Sequence, residues 1–278
     1  MNIYDWDHAY NNRLAVENSE RWIASWRTQG AAYQIAQQSH AEFGINYGAD
    51  AREVLDVYLP EGFAKGTLVF VHGGYWQSCS KDDHAQFAEG ARARGWRVVI
   101  VDYPLCPQVS VRQIAQSVCH AIEFIALRYL DGPIVLAGHS AGGHLVTFAV
   151  SRLSHLSTQC RARIQRVLSV SGLHDLRPIT FTKGLNTALE LEEIEAEKLS
   201  PALSAPGHTF QLICVCGSEE LPEFRRQNAL LASLWLGLGG STECFEIPGR
   251  HHFSVVDDLK TPGSHLSRLA TLSEYVVD

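Results

Sequence analysis

The chain has 278 residues and a formal net charge of −7, from 23 Lys plus Arg against 30 Asp plus Glu; with no basic cluster, this argues against nucleic acid or an anionic membrane as a partner. Apolar residues make up 46% and charged residues 19%, the balance of a packed globule, and the length fits one α/β domain over residues 1–278. No stretch approaches the roughly 20 apolar residues that span a bilayer, no secretory leader is expected at the N-terminus, and 7 cysteines without C-x-x-C spacing read as the reduced thiols of a cytoplasmic protein.

Residues 1–50 contain no obvious strand. From Ser19 to about Gln38, Trp22, Trp26 and Tyr33 recur near helical spacing, although Gly30 weakens that helix. Such a helix packs on the main domain or roofs a pocket. From Glu53 onward, strands alternate with helices. Glu53–Leu59 is a short extended run, and Thr67–Val71 is continuously apolar, as in a strand covered on both faces. Ser80–Arg94 reads as helix, stopped by Gly95. Trp96–Tyr103 is the next buried strand. A helix follows from about Ser110, with Val111, Ile114, Val118, Ile122 and Ile125 on one face. Pro133–Ala137 is a strand and Gly142–Arg152 a helix directly after it. Val167–Val170, Phe210–Cys216 and Cys244–Ile247 complete the strands, with an acidic helix (Leu189–Lys198) and a Leu-rich one (Glu223–Leu236) between them. This alternation predicts a mostly parallel central sheet flanked by helices on both faces. A catalytic core over residues 53–278 is expected, with residues 1–50 as a helical cover.

The strongest motif is Gly138-His139-Ser140-Ala141-Gly142. It follows a buried strand and opens a helix, the setting of a nucleophile elbow, where glycines relieve the crowding of a strained turn. Ser140 is therefore the expected nucleophile. A second motif, His72-Gly73-Gly74-Tyr75-Trp76, follows the first buried strand. Acyl transfer develops a charge on oxygen, and backbone N–H groups next to glycines can reach it. The N–H groups of Gly73, Gly74 and Ala141 are the expected oxyanion hole. His72, ahead of the loop, reads as a brace and not a base.

A serine hydroxyl needs a base, and the base needs an orienting acid. Gly249-Arg250-His251-His252-Phe253 lies in the turn after the last strand, and spacing does not choose between its two histidines. Glu219 and Glu220 follow the strand Phe210–Cys216, and Asp175 follows the strand before it; all three acids stay open. His144 lies one helical turn after Ser140 and could line the site. No H-E-x-x-H or C-x-x-C pattern suggests a metal, and no G-x-G-x-x-G or Walker loop suggests a nucleotide cofactor.

His-Gly-Gly-Tyr-Trp and Gly-His-Ser-Ala-Gly-Gly-His together resemble the α/β-hydrolase superfamily, and within it the kynurenine formamidase (arylformamidase) branch beside the hormone-sensitive-lipase-like esterases. The resemblance extends to Tyr10-Asn11-Asn12-Arg13, to Asp102-Tyr103 with the Pro104–Pro107 stretch, to Ser171 through Arg177, and to Pro222 through Gln227. It implies that the acid is Glu220, where many relatives carry Asp, and that the base is His252, immediately before Phe253. It also implies a serine hydrolase that cleaves N-formyl-L-kynurenine to L-kynurenine and formate, without a cofactor or a metal, on a small-molecule substrate. Tyr75 and Trp76 are expected near the formyl group, with Tyr103, and Trp22 or Trp26, toward the aryl group; His144 completes the expected pocket. A carboxylesterase acting on small acyl or aryl esters would use the same residues. A non-catalytic receptor on the same fold is disfavoured by the presence of Ser140, Glu220 and His252 together. The sequence leaves a homodimer open.

Overall fold

Apolar runs rich in Val, Ile and Leu become strands that are covered on both faces. The computed structural model describes residues 5–272. Its strands are β1 (Ala41–Asn46), β2 (Val54–Tyr58), β3 (Thr67–Val71), β4 (Arg97–Val101), β5 (Ile134–His139), β6 (Ile164–Val170), β7 (Gln211–Gly217) and β8 (Ser241–Ile247). They form one eight-stranded sheet in the order β1-β2-β4-β3-β5-β6-β7-β8. Strands β3 to β8 are parallel, and β1 and β2 join antiparallel at one edge. Among the described residues, no helix is long and apolar enough to cross a membrane.

Alternation of side chains along each strand supplies two cores. Val69, Val71, Val99, Val101 and Leu136 face the helices Val111–Arg128, Ala141–Val150 and Pro222–Gly237. Leu68, Phe70, Val98, Ile100, Val135 and Ala137 face Trp26, Phe87, Val256 and Leu266. The Val111–Arg128 helix starts at a reciprocal cap in which Ser110 and Gln113 satisfy each other's backbone N–H groups.

Three expectations need correction. Residues 1–50 do hold a strand: β1 pairs with β2, although Ala-Glu-Phe-Gly-Ile-Asn has no apolar run because this edge strand is half exposed. The helix expected over Ser80–Arg94 is a 3₁₀ segment, Asp82–Ala88, followed by a short α-helix, Glu89–Ala93. The acidic helix divides into Asn186–Leu189 and Glu193–Lys198, with Glu190 in the left-handed conformation between them.

Sheet topology decides where chemistry can sit. From β3 the chain crosses to β4 on one side, and β5 then enters on the other. The β3 and β5 ends thus flank the switch point, where loops diverge and leave a crevice at the carboxyl edge. The chain leaves β3 into His72–Gly74, β5 into Ser140, β6 into Ser171, β7 into Glu220 and β8 into His252.

Candidate active site

Ser140 sits between β5 and the Ala141–Val150 helix with φ 56° and ψ −118°. A non-glycine residue in that region stores about 1–3 kcal/mol of strain, so the surroundings must impose it. They do so through hydrogen bonds: the Ser140 N–H donates to the Val170 carbonyl at 2.8 Å, and its carbonyl accepts from the His144 N–H at 3.2 Å. Gly142 is required by close packing, because a Cβ there would lie 2.0 Å from the Val71 carbonyl oxygen. Among the described residues, the N–H groups of Gly73, Gly74 and Ala141 donate to no carbonyl or side chain.

The loop after β3 is held from beneath. His72 is fully buried, with Nδ1 2.7 Å from the Gly73 carbonyl and Nε2 3.1 Å from Asp102 Oδ1. Tyr103 stacks on it at 4.2 Å, and its hydroxyl donates to the His72 carbonyl at 2.8 Å. Burial raises the Asp102 carboxyl, but His72 and Arg52 outweigh it and hold the group below its usual range. The next two residues, Tyr75 and Trp76, both have left-handed backbones, at φ 51° and 58°.

His252 Nδ1 lies 2.7 Å from Glu220 Oε2, both residues being buried. The other carboxylate oxygen, Oε1, accepts from the Gly217 N–H at 2.8 Å and from the Ser171 hydroxyl. Phe224 packs edge-on against the His252 ring at 4.6 Å. The neighbouring candidates have other partners. His251 is turned to its own loop, with Nδ1 accepting from the Phe253 and Ser254 N–H groups, both at 3.2 Å. Glu219 is exposed, and Asp175 is paired with Arg177 at 2.9 Å.

Ser140 and His252 line one cavity of about 530 Å³ together with Gly73, Gly74, Tyr75 and His139, a volume suited to a small organic molecule. The N-terminal segment supplies much of its wall through Asp7, Tyr10, Asn12, Arg13, Ile23 and Trp26. It is pinned there by the Tyr10 hydroxyl donating to Glu223 at 2.7 Å and by Trp26 Nε1 donating to Asp257 at 3.1 Å. The Ser19–Ala36 helix therefore both packs on the domain and walls the cavity. Among the described residues, no group of three His, Cys, Asp or Glu side chains could hold a metal ion.

A model of the α/β-hydrolase fold family matches residues 68–253. The chain belongs to that family. It is 29% identical over 236 residues to the kynurenine formamidase of Danio rerio, covering 81% of this chain and 79% of the relative. It is 27% identical over 242 residues to the esterase LipU of Mycobacterium tuberculosis, covering 78% and 80%. Among solved structures, a protein from Silicibacter sp. tm1040 provisionally named a thioesterase superposes with a TM-score of 0.89 at 32% identity, covering 96% of this chain and 99% of that one. The protein is thus a hydrolase enzyme of the α/β-hydrolase type.

For this hydrolase, three expected pocket residues lie elsewhere. Trp76 is fully buried with its ring edge-on to His144 at 5.2 Å, its side chain carried away from the cavity by the left-handed turn. His144 donates from Nε2 to the Leu199 carbonyl at 2.8 Å, and burial pushes its imidazole down to about 4. Tyr103 supports the His72 loop from below. Trp22 lies edge-on to His251 at 5.0 Å, whereas Trp26 and Tyr75 line the cavity. Residues not singled out from the sequence also belong to the site. Ser171 touches the Glu220 carboxylate, and His139 lines the cavity with Nε2 2.9 Å from the His252 carbonyl. Asp7 and Arg13 also line the cavity, and only Arg13 stood in a quoted motif, Tyr10–Arg13.

Proposed function

We propose that this hydrolase cleaves aryl formamides, converting N-formyl-L-kynurenine to L-kynurenine and formate. The observation that carries the reading is the Glu220–His252 contact of 2.7 Å beside a strained Ser140 in one cavity. Likeness to a kynurenine formamidase over most of both chains supports the choice of substrate. In this reading Ser140 Oγ attacks the formyl carbon and His252 takes its proton, while Glu220 orients the imidazole and balances its charge. The N–H groups of Gly73, Gly74 and Ala141 bind the oxyanion, where one lost donor costs about 2.7–4 kcal/mol of transition-state stabilisation. As the C–N bond breaks, His252 returns the proton to the departing arylamine. Water, deprotonated by His252, then attacks the formyl-enzyme, and His252 passes that proton to Ser140 Oγ as formate leaves.

Formyl is the smallest acyl group, so the acyl side needs little room. Trp26, Tyr75 and Phe253 in the cavity wall offer apolar faces to an aryl group. A carboxylesterase is the second reading, supported by likeness to LipU, and it would employ the same three side chains. Comparing kcat/KM for N-formyl-L-kynurenine and p-nitrophenyl acetate separates the two. A formamide slower by orders of magnitude would leave the esterase reading standing.

A further inference from the structure

The cavity wall is mostly aromatic or apolar, yet it carries one cation and one anion from the N-terminal segment, Arg13 and Asp7. Arg13 is exposed and forms no ion pair among the described residues. Its backbone is nonetheless fixed. The Asn11 side chain caps the Asn12–Ala15 helix by accepting from the Leu14 N–H at 3.0 Å, and the Ser19 hydroxyl donates to the Arg13 carbonyl at 2.8 Å. Asn12 further ties this turn to the Tyr75 hydroxyl. The guanidinium thus stands on an anchored root at the cavity, near enough to Cys79 to oppose in small part the burial that pushes that thiol up to about 11.

Asp7 is bound on another side. Its oxygens accept from the Gly184 N–H at 2.8 Å and the Lys183 N–H at 3.1 Å. These bonds, Gly184 first, hold its carboxyl below the usual range, and the nearby Lys183 charge acts in the same direction. A carboxylate offers about four lone-pair sites, so two remain for another donor. A cavity with a fixed carboxylate and an unpaired guanidinium suits a zwitterion. Arg13 can meet a planar carboxylate with two parallel N–H bonds, and Asp7 can accept from an ammonium.

We propose that Arg13 and Asp7 select formamides whose leaving group carries an α-amino acid, Arg13 receiving the carboxylate and Asp7 the ammonium. This rests on the formamidase reading of the site. It makes the two residues specificity determinants with no part in bond breaking.

The test compares two substrates with the same formamide, ring and ketone. One is N-formyl-L-kynurenine, and the other, N-(2-acetylphenyl)formamide, lacks the amino-acid group. In Arg13→Gln the ratio of kcat/KM for the first over the second should fall by about tenfold or more, chiefly through KM. Arg13→Lys should restore part of it, and Asp7→Asn should lower the ratio less. A ratio in Arg13→Gln within about twofold of the unsubstituted protein overturns the proposal, whether both activities fall together or neither changes. If the unsubstituted protein cleaves neither formamide, the formamidase reading itself fails, and this proposal fails with it.

Discussion

At the scale of single residues, the site depends on a few fixed contacts. Replacing Ser140 by Ala should lower hydrolysis by about four orders of magnitude or more and abolish labelling by a fluorophosphonate probe. Labelling that persists would place the nucleophile elsewhere. Ser171 makes a subtler prediction. Its backbone is left-handed at φ 54°, and its hydroxyl holds the Glu220 oxygen that His252 does not use. Ser171→Ala removes a hydrogen bond to a charged group, worth about 1.5–3 kcal/mol. If the loss is felt in the transition state, kcat should drop roughly ten- to a hundredfold with KM nearly unchanged. A change confined to KM would show that Ser171 contacts substrate instead of positioning the acid.

At the scale of elements, the Ser19–Ala36 helix shows why local propensity misleads. Gly30 looks like a weak point, costing about 1 kcal/mol against Ala in a free helix. In the fold it lets the helix approach the Asp82–Ala88 segment, where a Cβ would stand 2.0 Å from the Asp82 carbonyl oxygen. Gly30→Ala should therefore destabilise by about 1–3 kcal/mol and, by moving Ile23 and Trp26 in the cavity wall, raise KM. A higher melting temperature in this variant would contradict the docking. How much was legible follows the range of the contacts. The Ser140 elbow and the His72–Trp76 loop are local in sequence, each following its own buried strand. The choice between His251 and His252 depends on which ring faces the cavity, and that between Glu219 and Glu220 on which carboxylate meets that ring; spacing along the chain carries neither. Strand β1 escaped notice because an edge strand need not be apolar. Trp76 and Tyr103 sit on functional loops but turn inward, which their positions in the sequence do not reveal.

At the scale of the molecule, burial of histidine couples stability to pH. Burial pushes His84 and His144 down to about 4 and His174 to about 3, from a usual 6.5; for His84 the His72 charge adds to burial, as the His144 charge does for His174. The unfolded chain therefore binds more protons than the folded one once the pH falls below about 6.5. Stability from these rings is whole above that pH and is lost progressively toward pH 4, by up to about 1.4 kcal/mol per unit for each. Melting temperatures should fall steeply between pH 6.5 and 4. A flat profile across that window would mean that these rings are not held neutral by the fold.

The bonds joining Tyr10 to Glu223 and Trp26 to Asp257 reach across 213 and 231 residues. The wall of the cavity is thus synthesised well before Glu220 and His252. A nascent chain stopped before β8 would hold Ser140 and the wall but not His252. Contacts of such long sequence separation also form late and slowly. In refolding, recovery of hydrolysis should trail recovery of helical signal, so that the enzyme is silent until these distant segments have met.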